Sequence, residues 1–272
     1  MKLSIITPVG GSEEEAEQTV ASVRLAAREN PDIAFEHILL LNNGARFADL
    51  AVDEPNLYRF VRDLNPVANR SLARNTGVMM TASDSDFALF LDSGDMLLPE
   101  ALRHLEPGPG VVLSFTSLVM TNTDRFLRAA KPERLIGYIN PFYIGATWVP
   151  TALARTHHFP DGRKEDWKVW VSLRRSDVDF VTYPQINYVY TVRSRRDHAR
   201  RKLRLIGDQY EFFRHFLDKS IVSSVVSLAV HYGIQAIWWF GAQQRGPESG
   251  GIDGWLSKIS ALSRRSHSAN GS

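Results

Sequence analysis

Residues 86–95 read Asp-Phe-Ala-Leu-Phe-Leu-Asp-Ser-Gly-Asp, an apolar run that ends in a turn with two carboxylates. The run is short, continuous and rich in Phe and Leu, which favours a buried strand. Asp92 and Asp95 follow at once, with Gly94 between them. The pattern therefore predicts a strand over residues 86–91 that places two acids at its carboxyl end.

Two earlier segments end in the same way. A β-rich run from Leu3 to Ile6 stops at Thr7-Pro8, and another from His37 to Leu41 stops at Asn42-Asn43-Gly44. Between these runs, residues 12–15 (Ser-Glu-Glu-Glu) form a capping box that predicts a helix start. Strands that alternate with helices predict a parallel α/β sheet, in which ligands bind at the carboxyl ends of the strands. The three polar strand ends are therefore expected to line one crevice.

The composition of the chain limits the number of domains and the kinds of functional site that are possible. The chain has 272 residues, which suits one large domain with an appendage, and its hydrophobic fraction of 44% suits a globular core. A net charge of +2 argues against a general polyanion-binding protein. The absence of cysteine excludes disulfides, thiolate metal sites and cysteine nucleophiles. The apolar run at the N-terminus is too short for a signal peptide, so we expect a cytoplasmic protein.

The acidic turn at Asp92 and Asp95 has two interpretations. Carboxylates are hard oxygen ligands, so the pair can hold Mg²⁺ or Mn²⁺, and such an ion neutralises a nucleotide diphosphate. In the plainer interpretation, Asp92 caps the next helix and Asp95 is solvated. The turn alone does not decide between them.

Six motifs, taken in order, resemble glycosyltransferase family 2, the inverting GT-A glycosyltransferases, over roughly residues 1–193. They are Ser4-Ile-Ile-Thr-Pro8, Leu39-Leu-Leu-Asn-Asn-Gly44, Ala73-Arg-Asn-Thr-Gly77, Phe90-Leu-Asp-Ser-Gly-Asp95, Ile144-Gly-Ala146 and Glu165-Asp-Trp167. The resemblance implies a GT-A fold, a Rossmann-like, mixed but mainly parallel sheet flanked by helices, here with a C-terminal helical appendage. It also implies a catalytic domain over residues 1–205, with a nucleotide-binding part (1–105) and an acceptor-binding part (106–205). A helical segment over 206–245 and a mobile tail over 246–272 would follow.

The resemblance also implies roles for single residues. Most of them concern the donor nucleotide: Thr7, Pro8, Asn42, Arg74, Asp92 and Ser93. Asp92 and Asp95 would hold Mn²⁺ or Mg²⁺. Gly145 and Trp167 would face the sugar or the acceptor, with Trp167 serving either as packing or as a sugar-stacking wall. Arg193 and His198 would reach the diphosphate.

Two positions depart from the family pattern. Asn42 stands where the family usually has an aspartate that binds uracil, so the usual base preference does not follow. Gly94 stands where the family often has a metal-binding acid, so either Asp95 supplies that ligand or metal binding is weak.

The Glu165-Asp166 pair lies at a predicted helix start. By its match to the family, Asp166 would be the base that takes the proton from the attacking acceptor hydroxyl. Glu165 would order the loop or touch the donor sugar. The plainer alternative is an ordinary helix start, where acids are favoured and where Trp167 and Trp170 have simple helical spacing.

The C-terminal part combines a basic run with an uncharged one. Seven of the residues over 193–204 are Arg or Lys, and residues 220–244 contain no charged side chain and include Trp238-Trp239. No aromatic residue interrupts the basic run, which argues against nucleic-acid binding. The pattern predicts an interfacial helix at the inner face of a membrane, or equally a helix packed on the core or in a homodimer.

Together these features predict an inverting glycosyltransferase that moves a sugar from a nucleotide-sugar donor, with a UDP-sugar as first choice, to an acceptor hydroxyl. A glycan or a lipid-linked acceptor in bacterial polysaccharide or glycolipid assembly is expected. Two alternatives remain open, a sugar-phosphate nucleotidyltransferase and a non-catalytic relative that binds glycan or membrane. Against the first, glutamates follow Gly10-Gly11-Ser12, where a triphosphate would need cations.

Overall fold

The computed structural model describes residues 1–10, 12–42, 44–45, 54–65, 69–99, 102, 110–121, 125–128, 135–136, 138–192, 208–210, 212–217, 219–243, 254 and 256–259. The helices in these ranges are α1 (Glu13–Glu29), α2 (Arg70–Met80), α3 (Thr151–Thr156), α4 (Glu165–Arg175) and α5 (Ile221–Gln243). The strands are β1 (Lys2–Val9), β2 (Ala34–Leu41), β3 (Leu57–Asp63), β4 (Phe87–Phe90), β5 (Met96–Leu97), β6 (Val112–Thr121), β7 (Arg125–Arg128), β8 (Thr147–Pro150) and β9 (Phe180–Val192).

The described strands form one sheet in the order β3-β2-β1-β4-β8-β6-β9-β5, and β7 pairs with β6. The first four strands of this order run parallel, as do β6 and β9. The remaining strand pairs are shorter and antiparallel: β8 pairs with β4 and β6, β7 pairs with β6, and β5 pairs with β9. The predicted mixed, mainly parallel sheet is therefore confirmed. The predicted helix start is also present, since the Ser12 side chain accepts a hydrogen bond from the Glu15 backbone N–H.

Helices cover both faces of the sheet. Neighbouring residues of β1 point to opposite faces, and both faces carry apolar side chains that pack against a helix. Ile5 packs with Val23 of α1, whereas Ile6 packs with Val78 of α2. The second contact is very close: a Cβ at Gly77 would lie 2.3 Å from Cγ2 of Ile6. Only glycine lets α2 approach β1 at this distance, and this approach fixes where the N-terminus of α2 lies.

Strand β9 is continuous over 13 residues and has an irregular register opposite Phe115 and Thr116. Pro184 lies in this irregularity, where it has no N–H to give to the ladder. The mobile tail over residues 246–272 stays a prediction. Of its described residues, 256–259 are helical, and Ile259 is buried among apolar side chains of β5, β6 and β9. In the described part of the chain, no helix is long and apolar enough to cross a membrane.

Candidate functional site

A cavity of about 860 Å³ opens where β4 ends and where α2 and α4 begin. Its walls come from both halves of the sheet and from the C-terminal segment. The residues that line it are Asn69, Arg70, Ser71, Arg74, Asp92, Asn140, Pro141, Phe142, Tyr143, Ile144, Gly162, Arg163, Lys164, Glu165, Asp166, Trp167, Tyr188, Tyr190, Asp208 and His231. The cavity brings together five of the predicted site residues: Arg74, Asp92, Glu165, Asp166 and Trp167.

Arg74 connects the two acidic motifs. Its side chain is only 1% exposed, with Nη2 2.8 Å from Oδ1 of Asp92 and Nη1 2.9 Å from Oε1 of Glu165. Burial opposes the ionisation of Asp92, but the guanidinium groups of Arg74 and Arg70 outweigh it and hold the pKa of that carboxyl below its usual value. One buried cation therefore hydrogen-bonds to both acidic motifs, and it favours the ionised form of Asp92.

Asp166 has a different environment although it is the neighbour of Glu165. Burial and the Glu165 carboxylate raise the pKa of Asp166, while Arg74 and the Asn140 amide oppose this rise. Asn140 Nδ2 donates a hydrogen bond of 2.7 Å to Oδ2 of Asp166. A half-buried carboxyl with a raised pKa in a cavity is suited to accept a proton from a bound hydroxyl.

Lys164 sets the direction in which α4 begins. It is the N-cap residue, with φ of 60° and ψ of 29°, a left-handed conformation that non-glycine residues seldom adopt. The turn directs Lys164, Glu165 and Asp166 to the same cavity. A strained cap that points three ionisable side chains to one cavity is typical of functional sites.

Asp95 is not placed as a metal ligand. It is 5% exposed and absent from the cavity wall. Its Oδ2 accepts a 2.5 Å hydrogen bond from the Tyr188 hydroxyl, and its Oδ1 accepts one of 3.0 Å from the Thr191 backbone N–H. Burial and the Asp92 carboxylate raise the pKa of Asp95 to about 7. The carboxyl connects the acidic turn to β9, and no cluster of three or more metal-ligating side chains occurs within the described residues.

Three of the predicted nucleotide contacts lie at strand ends but are buried. Thr7 is fully buried and its hydroxyl is 3.0 Å from Nε2 of His37, while Pro8 is also buried and Asn42 is 6% exposed. None of them lines the cavity, and neither does the half-buried Ser93. Of the predicted donor contacts, only Arg74 and Asp92 face the cavity.

The predicted sugar-facing residues serve packing in this structure. Trp167 is fully buried, donates from Nε1 to the Ile136 carbonyl at 2.6 Å, and stacks on Phe212 with ring centroids 4.0 Å apart. A Cβ at Gly145 would lie 2.2 Å from the Tyr188 ring, so this glycine allows the ring to pass. Arg193 and His198 lie outside the described residues.

Sequence reasoning missed several residues of the cavity wall. Arg70 lies one helical turn before Arg74, and this i, i+4 spacing was a usable signal. Tyr188 and Tyr190 alternate along β9 and therefore share a face, which was also visible in the sequence. Asn140 and His231 carry no pattern that indicates a site, because only the tertiary fold brings them to the cavity.

Sequence comparison finds no matching protein-family model and no matching curated protein. Structural comparison finds many matches. Residues 1–349 of S. aureus TarS, in complex with UDP-GlcNAc, align with a TM-score of 0.51 and 18% identity over 85% of this chain and 72% of that chain. The chain has the GT-A glycosyltransferase fold. The mannosyltransferase PcManGT from Pyrobaculum calidifontis, in complex with GDP-Man and Mn²⁺, aligns with a TM-score of 0.57 and 12% identity over 96% of this chain and 84% of that chain.

These identities concern the fold alone, so the GT-A expectation is confirmed and membership of family 2 stays a prediction. The geometry of the cavity does not depend on these comparisons. The cavity lies at the carboxyl end of the parallel strands, which is where such folds bind ligands. There, a cavity contains a buried arginine between two carboxylates and a third carboxyl with a raised pKa.

Proposed function

We propose that this chain is an inverting glycosyltransferase that transfers a sugar from a nucleotide-sugar donor to an acceptor hydroxyl, with Asp166 as the general base. The observation that carries the proposal is the placement of Asp166. It lines the cavity, is held by Asn140, and has a pKa raised by burial and by Glu165. The GT-A fold supports a nucleotide-sugar as the donor, since proteins of similar fold were solved with UDP-GlcNAc and with GDP-Man.

In the proposed reaction, the acceptor hydroxyl gives its proton to Asp166 as its oxygen attacks the anomeric carbon. The bond from that carbon to the diphosphate oxygen breaks on the opposite side, and its electron pair leaves with the nucleotide diphosphate. Arg74 holds Asp92 and Glu165, and we expect these two carboxylates to accept hydrogen bonds from sugar or ribose hydroxyls. The inverted configuration follows from this single displacement.

The nucleotide base and the acceptor are finer parts of the proposal. A UDP-sugar is the first donor to test, and GDP-sugars come next because a protein of similar fold was solved with GDP-Man. Mn²⁺ or Mg²⁺ is expected from the family resemblance, yet Asp95 is committed to Tyr188 and Thr191. The described residues therefore do not fit the predicted two-carboxylate metal site, and no step of the reaction is assigned to a metal.

The outer face of α5 supports the predicted contact with a membrane that carries a lipid-linked acceptor. Val222 is 74% exposed and Ile221 62% exposed, whereas Ser224 and Ser227 of the same helix are buried. This distribution leaves apolar surface in water, which typically marks a contact surface. Flotation with anionic vesicles tests this part, and a concentration-dependent dimer without vesicle binding would contradict it.

Donor turnover tests the proposal directly. The protein is incubated with UDP- and GDP-sugars, and release of the nucleotide diphosphate is measured with and without an acceptor mixture. Asp166→Asn is expected to lower the rate by about 10²–10⁴-fold. It should still fold, because burial already disfavours the charged form of Asp166.

Asp84→Asn is the matched control, since Asp84 pairs with Lys2 at the opposite end of the sheet. Full activity of a folded Asp166→Asn protein would refute the assignment of the base. Release of pyrophosphate from a nucleoside triphosphate and a sugar phosphate would favour the nucleotidyltransferase instead. Against that alternative, α1 carries three glutamates in its first turn, directly after β1.

A further inference from the structure

Four basic side chains and four carboxyl groups line the cavity, and two of the basic side chains make no hydrogen bond to a described carboxyl group. Arg74 is bonded to Asp92 and Glu165, and Arg163 pairs with Asp208. Arg70 and Lys164 also line the cavity, and neither side chain makes a hydrogen bond within the part of the chain that the structure describes. The Lys164 Nζ lies 5.9 Å from the centre of the Trp167 ring. These two cations are thus available to a ligand.

Arg70 is the better placed of the two. It is the first residue of α2, its side chain is 60% exposed, and its Nη1 lies 3.7 Å from Oδ2 of Asp92 and 3.8 Å from Oε1 of Glu165. Ion pairs at such distances on an exposed side chain contribute little. Arg70 can therefore turn from these carboxylates to an incoming phosphate without leaving a buried charge unpaired.

The start of α2 adds to this positive field. The first turn of α2 contains no acidic residue of its own, and the carboxylate of Asp161, in a neighbouring loop, accepts a 2.9 Å hydrogen bond from the Asn69 side chain. Asn69 caps the helix through the Leu72 N–H, and Asn69 and Ser71 line the cavity beside Arg70. An anion near Arg70 would thus meet both a guanidinium and the positive end of a helix.

The acidic turn cannot supply the usual alternative, a metal held by two carboxylates. Both oxygens of Asp95 accept hydrogen bonds from β9, and Oδ1 of Asp92 is 2.8 Å from Arg74. Gly94 has φ of 92°, a conformation strained for any residue with a side chain, so the turn disfavours an acid there. The charge that neutralises a diphosphate must come from elsewhere in the cavity.

We infer that Arg70, assisted by Lys164, binds the diphosphate of the donor, and that nucleotide diphosphate binding does not require a divalent cation. This inference rests on the proposed function, because it names how that same cavity holds its donor. Arg70 stabilises the leaving diphosphate by pairing with the phosphate oxygens on which negative charge develops. A planar guanidinium suits this role, since it can donate two parallel hydrogen bonds to a phosphate.

Titration calorimetry of the purified full chain with UDP and with GDP tests the inference, first in EDTA and then with Mn²⁺. Wild-type protein is expected to bind one of the two in EDTA, with a dissociation constant that Mn²⁺ changes by less than about threefold. Arg70→Gln should weaken this binding by about ten- to a hundredfold. Arg70→Lys should fall between them, because lysine keeps the charge but loses the second hydrogen bond.

Arg174→Gln is the matched control, since Arg174 is exposed in the last turn of α4, away from the cavity, and should bind as the wild type does. Binding that appears only with Mn²⁺ and is unchanged in Arg70→Gln would overturn the inference and leave the proposed function standing. If neither nucleotide binds under any condition, the proposed function fails and the inference fails with it. Thermal melting confirms that each variant is folded.

Discussion

At the scale of single residues, Asp166 and Glu165 show how one helix start gives two neighbouring acids different properties. Glu165 bonds to the buried Arg74, whereas the side-chain hydrogen bond that Asp166 makes among the described residues comes from the Asn140 amide. Burial and the Glu165 charge raise the pKa of Asp166. In the proposed reaction, Asp166 must be ionised to accept a proton, so activity should fall as the pH falls through its raised pKa.

Asn140→Ala should shift the pH at which activity is lost on the acidic side of the pH–rate profile. The amide favours the ionised carboxyl, so its loss should raise the pKa of Asp166 further and shift the limb of the kcat/KM profile to higher pH. Activity should be lost first at acidic pH and recover at alkaline pH, where Asp166 is ionised again. A pH–rate profile measures this, with Asp84→Asn as control. A limb at the wild-type position would exclude Asn140 as a residue that tunes the base.

At the scale of elements, α2 acts as a rigid support for two arginines. Arg70 and Arg74 lie one turn apart, and the packing of Gly77 on Ile6 sets the height of the helix above the sheet. Because Arg74 bonds to both Asp92 and Glu165, a shift of α2 would disturb both acidic motifs.

Gly77→Ala should therefore reduce both stability and activity. Its methyl group would overlap Ile6, and such overpacking typically costs about 1–3 kcal/mol of unfolding free energy. Gly233→Ala in α5 is the matched control, since nothing lies within 4 Å of its Cβ position. There alanine should stabilise the helix by up to about 1 kcal/mol. Urea unfolding compares the two, and equal effects would contradict the packing argument.

At the scale of the whole molecule, the C-terminal segment forms part of the site. Phe212 and Phe213 pack on Trp167, and the His231 ring lies 6.0 Å from the Trp167 ring while Nδ1 is 2.8 Å from the Tyr138 carbonyl. The residue that follows the proposed base is thus buried by a segment that the sequence marks only as an appendage.

Phe212→Ala should consequently impair catalysis as well as folding. Removal of a buried phenyl ring typically costs about 3–5 kcal/mol, and here it would also loosen Trp167 beside Asp166. Phe212→Leu, which keeps most of the volume, should lose much less. Unfolding curves and kcat/KM for both variants measure the effect. A folded Phe212→Ala protein with wild-type activity would show that the C-terminal segment does not contribute to catalysis.

The sequence was sufficient for the fold class, for three parallel strands of the sheet and for part of the site. Strand runs that end in polar residues are local patterns, so β1, β2 and β4 and the placement of Asp92 could be predicted. Asp95 could not, because its two hydrogen bonds come from Tyr188 and Thr191, almost a hundred positions later. Motif spacing predicts which residues follow a strand, but not which distant strand binds them.

The pairing of β5 with β9 also has a consequence during synthesis. Met96 pairs with Val189, so the acidic turn between β4 and β5 cannot reach its final shape until β9 has left the ribosome. At typical rates of protein synthesis this delay lasts roughly 5–20 s. The first half of the sheet can form early, whereas the cavity is completed late. Nascent chains that stop before residue 192 should therefore contain β1 to β4 but lack the complete cavity.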